Sequence, residues 1–112
     1  TLDAALLSKM NQRDQIRNCI IDGPLAFDNA ISLESAVHKG IRSDVAGDTD
    51  LLIMPDIEVG NVLYKSLVFF AHAGVAAVIL GATAPIVLTS RSDSEEAKYF
   101  SILLAAAISR QD

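Results

Sequence analysis

Apolar residues along this chain fall into two patterns, one spaced like a helix and one continuous. Helical spacing comes first in Thr1–Arg13, where Leu2, Leu6, Leu7 and Met10 recur near every third or fourth position. A shorter helix is predicted from Ser32 to Lys39, with Ser32 placed as N-cap and Gly40 just past the end. The clearest helix runs from Glu58 to Ala73. Val59, Val62, Leu63, Leu67, Val68 and Phe70 or Ala71 form its broad apolar face, and Gly74 ends it. A last helix is predicted from Asp93 to Ser109.

The continuous runs are Cys19–Asp22, Leu51–Met54, Val75–Leu80 and Pro85–Thr89, and Gly or Pro bounds each of them. Such runs suit strands covered on both faces. Helices alternate with them, so the predicted architecture is α/β: a three-layer α/β/α arrangement with a largely parallel sheet. The connection from Gly81 to Pro85 is too short for a helical crossover. The third and fourth runs are therefore expected as an antiparallel pair or one bent segment. Residues 42–50 read as loop.

Composition narrows the possibilities. Half of the 112 residues (51%) are hydrophobic, enough for a core, and the length allows one domain or less. The net charge of −5 and scattered basic residues argue against a nucleic-acid partner. The one cysteine, Cys19, excludes an internal disulfide, fits a reducing compartment, and is expected to pack inside. No basic stretch precedes the first apolar residues, and no apolar stretch reaches ~18 residues. A cytoplasmic chain with no membrane association is expected. His38 and His72 each lack a second ligand at metal spacing, so structural roles and no metal are expected. The opening residues read as the interior or last turns of a helix, which suggests the tail of a longer protein.

In open α/β sheets ligands bind beyond the carboxyl ends of strands. Glu58, Asn61 and Lys65 share a helix face just past one such end. By charge patterning alone that face is more simply a solvated one. At another end stands VLTSRSDSEEAK, residues 87–98. Ser92 and Glu95 have capping-box spacing, and Asp93 and Glu96 suit a first turn. Arg91 is different: a cation at the positive end of a helix is locally disfavoured, and an anionic ligand would reverse the sign. Arginine's fork also suits phosphate.

Five blocks, in order, resemble the phosphate acetyl/butyryltransferase family, most closely its butyryl branch. They are residues 22–30 (DGPLAFDNA), 45–48 (VAGD), 55–65 (PDIEVGNVLYK), 81–88 (GATAPIVL) and the pair Ser90-Arg91. The resemblance covers nearly the whole chain and makes it the carboxyl-terminal part, residues 1–112, of a two-domain acyltransferase. It implies reversible transfer of a short acyl group, butyryl or similar, between coenzyme A and inorganic phosphate. Acyl-CoA and phosphate or acyl phosphate would be the partners. No cofactor is implied, coenzyme A being a substrate, and a homodimer or larger homo-oligomer is expected. By the same resemblance Ser90 and Arg91 are the catalytic pair. Asn61 and Lys65 match the family's G-N-x-x-x-K block. With Gly81, Thr83 and Thr89 they are the candidates for holding substrate and CoA.

One departure stands out. In the acetyl branch, an Asp proposed as base for the CoA thiol lies six residues after the Arg, and here that place is Ala97. Asp93 and Glu96 are the nearby acids. The departure keeps open a second reading, a non-catalytic ligand-binding or oligomerisation domain of the same fold. The last helix, apolar nearly all round from Ile102 to Ile108, is expected to be buried and to supply a dimer contact.

Overall fold

The computed structural model describes residues 1–109. It divides into two compact units, Thr1–Asp56 and the segment from Ile57 onward.

In the first unit, α1 (Leu2–Gln12) is built from good helix formers, with Asp3 in its first turn and Lys9 in its last, both favourable to the helix dipole. Two short helices follow, α2 (Phe27–Ile31) and α3 (Leu33–His38). The Ser32 side chain caps α3 by accepting from the Ser35 amide, and Gly40 lies just past its end at φ +63°, as the sequence predicts. The helix α2 has no periodic signature and was not predicted. It is held by its neighbours: Gly47 N–H donates to Ala30 O at 3.0 Å, and Thr49 Oγ1 donates to the same carbonyl at 2.8 Å. The loop thus closes over the α2–α3 junction. Its tightest point is Gly47, at φ +83°, where a Cβ would come within 2.5 Å of Leu33 Cα.

The second unit holds α4 (Ile57–Phe69) and α5 (Glu95–Ile108), joined by extended chain. The helix α4 stops four residues short of the predicted end at Ala73. Its chain widens there, with Ala71 N–H reaching Ser66 O and Ala73 N–H reaching Leu67 O. His72, at φ +51°, takes the left-handed turn that the sequence assigns to Gly74. His is among the few residues that tolerate it. The helix α5 is capped by Ser94, which accepts from Ala97 N–H at 3.1 Å, and not by Ser92.

The three-layer α/β/α expectation is overturned. Among the described residues there is no β-strand and no sheet. The predicted strands are extended chain, with a single antiparallel bridge between Ile79 and Ile86. Some of the backbone groups a sheet would use are bonded elsewhere. Asn11 takes those of the first run: its Nδ2 donates to Cys19 O and its Oδ1 accepts from Ile21 N–H, each at 2.9 Å. In the 75–89 region Ile79 and Ile86 exchange both amide bonds, but the next donor along, Ala77 N–H, goes to Ser101 Oγ at 2.9 Å. On the other side the chain turns back through a bend at residues 81–84. The pairing stops at this one bridge.

Without a sheet the apolar runs have no layers to fill. The buried residues are small: Ser8, Asn29, Ala30, Ala36 and Ala46 in the first unit, Ala97 and Ser101 in the second. Cys19 is exposed, contrary to expectation, because its segment is surface chain tied down by Asn11. The last helix is not enclosed either. Only Ala97 and Ser101 of α5 are buried, whereas Ile102 is 59% exposed and Leu103 46%.

Candidate functional site

The run from Pro85 ends in a turn, Ser90 to Asp93, that precedes the α5 cap. Asp93 closes the turn with its backbone and its carboxylate. Its N–H donates to Ser90 O at 3.1 Å, and its Oδ2 accepts from Ser90 N–H at 2.7 Å. The other carboxylate oxygen, Oδ1, accepts from the Tyr64 hydroxyl of α4 at 2.9 Å. Inside the turn the hydroxyls of Ser90 and Ser92 lie 3.1 Å apart. Lys65, also from α4, reaches Ser92 Oγ at 3.5 Å, a long contact. Its ammonium stands 5.3 Å from the centre of the Tyr64 ring and 5.8 Å from that of Phe69.

This arrangement defines the charge states. The Ser90 amide, aimed at the Asp93 carboxylate, holds it below its ordinary value; the Tyr64 hydrogen bond and the charges of Lys65 and Lys98 act in the same direction, against partial burial. Partial burial raises the Tyr64 hydroxyl, and so do the hydrogen bond to Asp93 and the charge of Asp93. Asp93 is therefore an ionised acceptor with both oxygens engaged, and Tyr64 a protonated donor. An acid so occupied is poorly suited to act as a base. Glu96, the other nearby acid, is exposed in the first turn of α5.

Arg91 sits at the outside of the turn, exposed, with no hydrogen bond or ion pair among the described residues. Because the cap is Ser94, Arg91 precedes the helix by a short turn and is not part of its first turn. Ala97 is buried, on the same face of α5 as Ser101. Ser101 Oγ donates to Ala97 O at 2.7 Å and accepts from Ala77 N–H. A carboxylate at position 97 would enter this packed contact.

The predicted site residues are brought together only in part. Ser90, Arg91 and Lys65 gather at one turn, with Thr89 half-buried beside it. Asn61 lines an open groove on α4 with Val62, Lys65, Ser66, Phe69 and Phe70. Gly81 and Thr83 are exposed in the bend at 81–84, and no described hydrogen bond ties them to the turn. Sequence reasoning missed Tyr64. The available signal was a tyrosine among apolar residues, whose hydroxyl needs a partner.

The first unit holds a second polar cluster. Asp28 accepts from Lys39 Nζ at 2.5 Å and from Ser35 Oγ, which joins α2 to α3. These two bonds, Lys39's first, hold the Asp28 carboxyl down at about 2. Among the described residues no group of three or more His, Cys, Asp or Glu is placed to hold a metal, and no helix is long and apolar enough to cross a membrane.

The family described as phosphate acetyl/butaryl transferase matches residues 1–106, and the chain belongs to that family. It is 61% identical over 106 residues to a phosphate acetyltransferase of Thermotoga maritima, covering 95% of this chain and 36% of that protein. It is 58% identical over 111 residues to a probable phosphate butyryltransferase of Bacillus subtilis, covering 99% and 37%. Among solved structures, a branched-chain phosphotransacylase from Enterococcus faecalis aligns over 90% of this chain and 37% of its own, at 43% identity and a TM-score of 0.76. The chain thus spans about a third of the length of these relatives.

Proposed function

We propose that this chain forms part of a phosphate acyltransferase that moves a short acyl group, butyryl or similar, between coenzyme A and inorganic phosphate. In one direction a phosphate oxygen attacks the thioester carbonyl, the carbon–sulfur bond breaks, and CoA leaves as the thiol, its sulfur taking the proton that the phosphate gives up. The products are acyl phosphate and CoA. Arg91 pairs with the phosphate, whose charge must be held close to an electrophile in either direction. The Ser90 hydroxyl hydrogen-bonds the carbonyl oxygen or the sulfur as charge shifts between them. Lys65 and Asn61, from α4, and Thr89, Gly81 and Thr83 supply contacts to the CoA and acyl-phosphate groups. Coenzyme A enters as a substrate. The proposed enzyme is cytoplasmic and at least a homodimer.

One observation carries the reading. An unpaired, exposed arginine stands next to a serine on a turn anchored at Asp93, with Lys65 reaching the same turn, in a chain that belongs to this family. The test is a coupled assay on the full-length protein with butyryl-CoA and phosphate, following thiol release. Release above background is expected, and Arg91→Ala should raise the phosphate KM at least about 10-fold or abolish turnover. No release with any short acyl-CoA would favour the non-catalytic reading. Unchanged phosphate kinetics in Arg91→Ala would remove Arg91 from the site.

A further inference from the structure

We infer that Tyr64 is a positioning residue for this acyl transfer: through the Asp93 carboxylate, its hydroxyl holds the backbone of Ser90 and so sets where Ser90 and Arg91 meet the substrates. The inference rests on the reading of Ser90 and Arg91 given above.

The geometry is a relay of three groups. Tyr64 O–H donates to Asp93 Oδ1 at 2.9 Å, and Asp93 Oδ2 accepts from Ser90 N–H at 2.7 Å. The two bonds use opposite oxygens of one carboxylate, so the orientation of the carboxylate is defined from both sides. A carboxylate with only one partner can turn about its last torsion, which has broad wells. Tyr64 is the partner that comes from outside the turn with normal hydrogen-bond length; Lys65, the other residue of α4 reaching the turn, does so at 3.5 Å. The hydroxyl therefore transmits the position of α4 to the turn. Ser90 and Arg91 make few bonds of their own that could do this. The Ser90 hydroxyl meets only Ser92, inside the same turn, and Arg91 has no described partner. Displacement of a reacting group by about 1 Å can cost up to 100-fold in rate, so the loss of one such tie is measurable.

The experiment uses the full-length transferase and four variants: Tyr64→Phe, Asp93→Asn, the two combined, and Arg91→Ala. Butyryl-CoA and phosphate kinetics are read together with thermal melting. Tyr64→Phe keeps the ring and removes only the hydroxyl. The expected result is a fall of about 10-fold in kcat/KM for both phosphate and butyryl-CoA, with an unchanged melting temperature. Asp93→Asn should lose at least as much, and the double variant no more than Asp93→Asn alone, because both act through one relay. Normal Tyr64→Phe kinetics alongside a collapsed Arg91→Ala would overturn the inference and leave the function standing. Losses that multiply in the double variant would show that the two residues act separately and would also overturn it. So would a Tyr64→Phe loss of activity that only accompanies a lowered melting temperature. If Arg91→Ala itself behaves as wild type, the underlying reading and this inference fall together.

Discussion

Asp28 carries the most strongly perturbed carboxyl of the first unit. Held at about 2 by Lys39 and Ser35, it lies below the ordinary value of 3.8. A carboxyl more acidic when folded than when unfolded stabilises the fold above its unfolded pKa. That contribution is lost as pH falls through the folded value. Melting temperatures of wild type and Asp28→Asn should therefore differ at pH 6. They should converge between about pH 4 and pH 2, the window between the two pKa values. A difference that persisted at pH 2 would mean that Asp28 acts by shape and not by charge. Arg91 shows the opposite case. Its exceptional position was legible in the sequence as an unexplained cation near a helix start, and the structure leaves it exposed and unpaired. Tyr64 was not legible, because its partner Asp93 lies 29 residues away and only the packing of α4 beside the turn makes the bond.

At the scale of elements, capping chemistry decides where α5 begins. Two serines were available, and the Ser92–Glu95 spacing favoured the first of them. The structure uses Ser94, because Ser92 and Asp93 are engaged in the turn below it. Ser94→Ala should cost about 1 kcal/mol of local stability, read as faster hydrogen exchange at the Ala97 amide, while Ser92→Ala leaves that amide protected. Helices were legible wherever apolar spacing or a capping residue marked them. The start of α1, the cap of α3 and the body of α4 all fell close to expectation. The strands were misread because an apolar run states only that a segment is extended or buried. Whether it joins a ladder depends on where its amides find acceptors. Here Asn11 and Ser101 supply bonding partners from side chains.

For the molecule as a whole, the excess of apolar surface is the leading feature. The buried positions are small, while Leu51, Leu80, Leu88 and Ile102 are well exposed. Exposed apolar patches mark contact surfaces. Ile102 and Leu103 on α5 support the proposed association of two copies, since small alanines beside them permit close approach. Light scattering of the full-length protein should give at least twice the mass of one chain, and Ile102→Asp should shift it toward monomer. A wild-type monomer would remove α5 as a dimer contact.

By itself the sequence determined the helices other than α2, the caps at Ser32 and Gly40, the family and the suspicion attached to Arg91. These depend on spacing along the chain and on the chemistry of single residues, and both are local. Tertiary structure alone decided that the four apolar runs form no sheet, that Cys19 faces outward, that Ser94 caps α5, and that Tyr64 reaches Asp93. Each of those depends on which group, near or far along the chain, satisfies a backbone amide, carbonyl or hydroxyl, and periodicity carries no record of that choice.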